Sequence, residues 1–236
     1  MTRVFAFLDS TVGKKILMAV TGIVLFGFVV VHMLGNLQVY AGPTKLDEYG
    51  AALRKIPALL WAARLVLLGS AVAHAWAAWS VTQASWAARP VGYRSWQPRE
   101  AGSTYASRTM RWSGVILLLF IAYHLMHLTL GNVHPNFVEG AVHHNFVVGF
   151  QQKSAAAFYI LAMGCLGLHM WHGVWSLTQT LGLSHPRYNS LRRAFATAIT
   201  VAVVAGNISF PVAVLAGFVR EAPKVAQDAA PAPGAR

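Results

Sequence analysis

Apolar and polar positions along the chain sort into five long apolar blocks separated by polar stretches. The blocks run approximately over residues 15–39, 57–83, 112–131, 154–181 and 194–219. Each is about 20 residues or longer, the length a helix needs to cross a bilayer at about 1.5 Å per residue. The acidic residues (Asp9, Asp47, Glu48, Glu100, Glu139, Glu221 and Asp228) all fall outside the blocks, and Arg64 is the single Lys or Arg inside them. Arg64 stands near the start of its block, where its side chain reaches the interface. The pattern predicts an all-α membrane protein with five transmembrane helices, a single domain over residues 1–220. The Ala- and Pro-rich tail 221–236 is expected to be disordered.

Composition narrows the class further. Apolar residues make up 56% of the chain and charged residues 11%, against roughly 25% charged in soluble domains, which excludes a soluble enzyme. The balance of 19 Lys+Arg to 7 Asp+Glu gives a net charge of +12. These basic residues lie between apolar blocks, so membrane topology accounts for them and a nucleic-acid partner is not expected. With the N-terminus inside, Arg3, Lys14, Lys15, Arg89, Arg94, Arg99, Arg108, Arg111, Arg187, Arg192 and Arg193 are cytoplasmic, 11 residues against 7 outside. The positive-inside rule then places the N-terminus in and the C-terminus out. No A-x-A pattern follows the first block, which is expected to be a retained span. The lone cysteine, Cys165, allows no intrachain disulfide and no iron–sulfur cluster held by this chain alone. No C-x-x-C-H, Walker or dinucleotide pattern is present.

An internal repeat brings in candidate chemistry. Thr21-Gly22-Ile23-Val24-Leu25 leads to His32-Met33-Leu34 in the first block, and Ser113-Gly114-Val115-Ile116-Leu117 leads to His124-Leu125-Met126 in the third. In the second and fourth blocks, Gly69 precedes His74 by the same interval that Gly164 precedes His169. Both then run through Trp76 or Trp171 to Trp79-Ser80-Val81-Thr82-Gln83 or Trp175-Ser176-Leu177-Thr178-Gln179. Each of four helices thus carries a histidine at a repeated place. His32 lies about 25 Å from the inner end of its helix at about 1.5 Å per residue, and His124 falls in the outer half of a parallel one. His74 and His169 fall in the inner halves of helices running the other way. Two pairs result, His32 with His124 outside and His74 with His169 inside.

A histidine inside a membrane commonly serves helix–helix hydrogen bonding. Four at matched depths, within a repeat and with no intramembrane carboxylate, point instead to two bis-imidazole sites for haem iron. His127 and His172 each lie one turn beyond a candidate ligand and are alternative ligands, quinone contacts or propionate donors; the glycine spacing favours His169 over His172. His134, His143, His144 and His185 fall in connections and are expected to be solvated. Gly27, Gly35, Gly69, Gly164, Gly167 and Gly173 suit close helix packing or room for a porphyrin. The missing intramembrane acids favour electron transfer over proton pumping. The fifth block has no histidine, and its Pro211 should kink it or cost one backbone hydrogen bond. It is expected to pack against the other four without binding iron.

The residues resemble a known family. Gly13-Lys14-Lys15, Thr21-Gly22 and His32-Met33-Leu34-Gly35-Asn36-Leu37-Gln38 look like the first helix of the cytochrome b subunit of bacterial succinate dehydrogenase/fumarate reductase, of the b558-type, five-helix, di-haem kind. Tyr105-Ala106-Ser107-Arg108-Thr109-Met110-Arg111-Trp112-Ser113-Gly114 with Tyr123-His124-Leu125 looks like its third helix. Gly167-Leu168-His169-Met170-Trp171-His172-Gly173 with Gln179-Thr180-Leu181-Gly182 looks like its fourth. The resemblance covers roughly residues 10–215. It implies axial ligands His32 and His124 for an outer haem b and His74 and His169 for an inner one. It also implies menaquinone as acceptor, and a flavoprotein carrying FAD and an iron–sulfur subunit on the cytoplasmic side of a bacterial inner membrane. The Arg-rich segment from Trp86 to Arg111 is the expected docking region. Asn36 and Gln38 are quinone candidates, with capping of the first helix as the plainer role. Arg108, Arg111, Lys14 and Lys15 are propionate candidates, with topology as the plainer role. One departure is Gly167, where some di-haem members carry a Glu beside the inner ligand, and this puts a compensating proton route in doubt. The alternatives are a di-haem cytochrome b serving a formate dehydrogenase or hydrogenase, and a haem-free transporter or scaffold.

Overall fold

A computed structural model describes residues 7, 9–88 and 104–221. The expected tail and most of the Arg-rich segment lie outside the described residues. Helix α1 spans Thr11–Asn36 and passes through a 3₁₀ turn, Leu37–Ala41, into α2, Pro43–Arg54. Next come α3, Pro57–Ala87; α4, Tyr105–Leu128; α5, Val142–Gln151; α6, Lys153–Thr180; and α7, Asn189–Leu215. Five of these (α1, α3, α4, α6 and α7) are long and apolar enough to cross a membrane. The chain is all-α among the described residues, and the five spans fall where the apolar blocks predict them. Large apolar side chains such as Leu65, Leu119, Leu161 and Val201 are exposed along these helices, as lipid-facing surfaces require.

The chain divides into two compact units, and every spanning helix contributes residues to both. One unit comprises Met1–Val29, Trp61–Gly114 and Leu168–Thr200; the other comprises Val30–Leu60, Val115–Gly167 and Val201–Arg236. In the first, the start of α7 is tied to the end of α6 by Arg192. Its guanidinium donates to Thr178 Oγ1 and to the Trp175 carbonyl and lies 4.3 Å from the Trp175 ring centroid. Trp171 Nε1–H donates to Thr197 Oγ1 at 3.0 Å in the same interface.

In the second unit, the connections between spans are more ordered than the sequence pattern anticipates. Helices α2 and α5 pack together, with Gly50 so close to Val142 that a Cβ there would lie 2.7 Å from its side chain. Ala141 precedes α5 and has no side-chain oxygen to cap it. Asp47 of α2 supplies one, accepting the His143 backbone N–H at 2.8 Å. The face of α5 bearing His143, Phe146, Val147 and Phe150 is buried. His143 is therefore a packed residue rather than a solvated one, because the helix presents it inward. Helix α7 runs on past the buried Pro211 to Leu215, so its missing N–H costs a hydrogen bond without ending the helix. Tyr40 O–H donates to Ser209 Oγ at 2.7 Å, and Gly206 leaves room for Met33.

Candidate haem-binding histidine pairs

In the first unit, the His74 and His169 rings approach each other from α3 and α6 with centroids 6.3 Å apart. Two imidazoles on opposite sides of one metal, each bonded at about 2.0–2.1 Å, hold their centroids about 6.4 Å apart. Rotation about the nitrogen–metal axis leaves the interplanar angle free, so the observed 53° is compatible.

Hydrogen-bond accounting fixes which nitrogen each ring offers. His74 Nδ1 lies 3.0 Å from the Met18 carbonyl, which can only accept, and 3.2 Å from Thr21 Oγ1. The Thr21 hydroxyl already donates to the Leu17 carbonyl at 2.7 Å. His169 Nδ1 lies 3.2 Å from Ser113 Oγ, whose proton goes to the Met110 carbonyl at 3.1 Å. His74 therefore carries its proton on Nδ1 and keeps the Nε2 lone pair, and His169 does the same when Ser113 donates to Met110. This is the tautomer a metal-ligating histidine needs, with its other N–H held by an acceptor.

In the second unit, His32 and His124 bring their rings to 5.8 Å at 87°. His124 Nδ1 and His127 Nδ1 each lie 3.1 Å from Tyr159 O–H. The phenol has one proton, so it can donate to only one of the two histidines, and its oxygen can accept from either. Ligation through His124 Nε2 requires His124 to donate. Tyr159 is then free to donate to His127, whose Nε2 is a buried atom with no hydrogen-bond partner among the described residues. His32 Nε2 lies 3.2 Å from the Asn36 amide nitrogen, so ligation at His32 requires that amide to turn away. The His74/His169 separation is thus compatible with a shared metal, whereas the His32 nitrogen is engaged by Asn36.

Among the described residues no group of three or more His, Cys, Asp or Glu could hold a metal ion. A site of two imidazoles suits an iron whose remaining positions are filled by a macrocycle, and the donor sets present fit haem in that sense. Residues 91–206, about half of the chain, match the model of the succinate dehydrogenase/fumarate reductase transmembrane subunit. The chain belongs to this family. No curated protein and no solved structure matches it. Membership makes the chain a membrane subunit of an electron-transporting oxidoreductase complex, associated with that complex's soluble subunits. The matched stretch contains His124 and His169, while His32 and His74 precede it.

The structure distributes the anchor subunit's other candidate residues as follows. Arg111 lies 5.2 Å from the Trp86 ring centroid, and Lys14 lies 5.7 Å from that of Trp76. Lys15 lines a cleft of about 350 Å³ with Thr11, Val81, Ala84, Ser85 and Ala88. Arg108 is exposed near the start of α4, and Gln38 is half-buried on the 3₁₀ turn after α1. His127, expected as one of several options, is fully buried against Tyr123, His134 and Tyr159. A Cβ on Gly27, Gly69, Gly164 or Gly173 would meet no atom within 4 Å, so these glycines border open space rather than a helix contact.

The residues that sequence reasoning passed over are Thr21, Ser113 and Tyr159. The first two were visible as aligned members of the repeat, yet a hydroxyl four or three residues after a helical carbonyl usually bonds only its own helix.

Proposed function

We propose that this anchor subunit is a di-haem cytochrome b of a bacterial succinate:quinone oxidoreductase. His74 and His169 hold one haem b, and His32 and His124 hold another. The observation that carries the reading is the His74/His169 pair, two rings with centroids 6.3 Å apart, each with an acceptor within reach of its Nδ1. Bound there, haem supplies the one-electron chemistry that links an iron–sulfur partner to menaquinone, in either direction.

The chain's own residues supply ligands, orientation and exclusion of water. Met18, Thr21 and Ser113 hold the inner rings, and Tyr159 holds His124. The absence of intramembrane acids fits a protein that moves electrons and leaves proton exchange to the membrane surfaces. The flavoprotein and iron–sulfur subunits dock on the cytoplasmic side, the N-terminal side of the chain, as the distribution of basic residues supports. Arg108 and Arg111 on that side suit inner propionates through charge-assisted bonds, and the polar Asn36 and Gln38 suit a quinone carbonyl near the outer pair.

The test is single replacement of His169 by Ala in the intact complex. One of two haems should be lost, with the remaining b-type absorbance intact and electron transfer from succinate to quinone abolished. Unchanged haem content in the variant would overturn the assignment.

A further inference from the structure

The repeated Thr21-Gly22 and Ser113-Gly114 pairs of α1 and α4 do the same thing in the two halves of the repeat. Each places a hydroxyl on Nδ1 of a histidine from another helix, His74 or His169, at 3.2 Å in both cases. The glycine that follows lies against the same ring, where an added Cβ would stand 3.4 Å from His74 Cε1 or 3.8 Å from His169 Cε1. Thr21 and Ser113 are both buried, at 7% and 4% exposure. Each hydroxyl has a backbone carbonyl of its own helix to take its proton, at 2.7 Å for Thr21 and 3.1 Å for Ser113, and in that arrangement its oxygen is an acceptor for the ring.

We propose that Thr21 and Ser113 are positioning residues that hold the inner histidines in the Nδ1–H tautomer and tune the inner haem, His169 depending on its hydroxyl more than His74 does. The inference rests on the di-haem reading. An Nδ1–H that donates to an acceptor makes the imidazole a stronger electron donor, which favours ferric over ferrous iron. Removing the acceptor therefore raises the midpoint potential. The asymmetry follows from the partners: His74 keeps the Met18 carbonyl at 3.0 Å when Thr21 loses its hydroxyl. Ser113 is the acceptor seen for His169 Nδ1.

The experiment uses the purified complex with Thr21→Val, Ser113→Ala and Ser113→Thr, read by haem per chain, redox titration of the b absorbance and the ferric spectrum. Ser113→Ala should keep its haem and shift one b potential upward. A tenfold fall in ferric preference, at the lower end of outer-shell effects, equals about 59 mV for one electron. Thr21→Val should shift the same potential less, and Ser113→Thr should restore it. Loss of the inner haem in Ser113→Ala with recovery in Ser113→Thr would also support the role. An unmoved potential in Ser113→Ala at full haem content overturns the proposal while leaving the di-haem reading intact. A parent complex without b haem overturns that reading itself.

Discussion

Gly149 of α5 is the position where one methyl group should do the most damage. A Cβ there would stand 2.9 Å from His127 Cε1, 3.0 Å from His134 Nε2 and 3.1 Å from His127 Nε2. Ordinary contact starts near 3.4 Å, so the His127 ring must retreat by about 0.5 Å to restore it. It has little room to do so, being fully buried and stacked on Tyr123 at 5.3 Å and 19°. Any such shift also disturbs the 3.1 Å bond between His127 Nδ1 and Tyr159 O–H. His134 Nε2, the atom that such a Cβ would crowd, is itself held by the Asn145 carbonyl at 2.8 Å. Overpacking costs about 1–3 kcal/mol and the weakened hydrogen bond about 1 kcal/mol. Replacing a helical glycine returns about 0.5–1 kcal/mol, so Gly149→Ala should destabilise by about 2 kcal/mol net. Gly69→Ala is the control, because its Cβ meets no atom within 4 Å. Reversible denaturant unfolding in mixed micelles, followed by circular dichroism, compares the two. A Gly149→Ala protein as stable as Gly69→Ala would refute the packing of the outer histidine cluster described here.

Asp47→Ala should cost about 1–2 kcal/mol by uncapping α5, and Asp47→Asn, which keeps an acceptor oxygen, should cost less; the same unfolding assay ranks them. Burial holds the His143 imidazole below its usual value of 6.5, against the pull of Asp47 and Glu221 and with a small push from His144. The unfolded chain thus binds this proton more readily. The contribution is complete above pH about 6.5 and fades as pH falls towards the folded value. His143→Gln should accordingly flatten the acid side of a thermal-stability profile between pH 7 and 5, and an unchanged profile would count against it. Tyr159→Phe removes the hydroxyl shared by His124 and His127. It should alter the spectrum or potential of one b haem and leave the other as in the parent, and a change in both or in neither would refute the separate roles of the two pairs.

Much of the architecture was legible because lipid imposes a simple rule: a spanning helix must be apolar for its whole length. The four paired histidines were legible for a related reason, since polar side chains in an apolar helix stand out and the repeat aligned them. The connections were less so. Nothing local marks α5 as a helix with a buried face, because its cap comes from Asp47, 96 residues away in sequence. His143 could not be recognised as packed before α2 was placed beside it. The roles of Thr21 and Ser113 were hidden for the opposite reason, because their bonds to their own helices are a sufficient local explanation. Only the tertiary approach of His74 and His169 shows the second use of the same oxygen. His127 likewise sits one turn beyond His124 in sequence, and it takes the position of Tyr159 to separate the ring facing His32 from the one that does not.

The most direct test of the central claim is haem per chain, measured by pyridine haemochrome on the detergent-purified complex with its co-purifying subunits identified from the same sample. The account predicts two b haems per chain together with a flavoprotein and an iron–sulfur protein. A well-folded complex with no haem, or one in which both haems survive replacement of both His74 and His169, would contradict it.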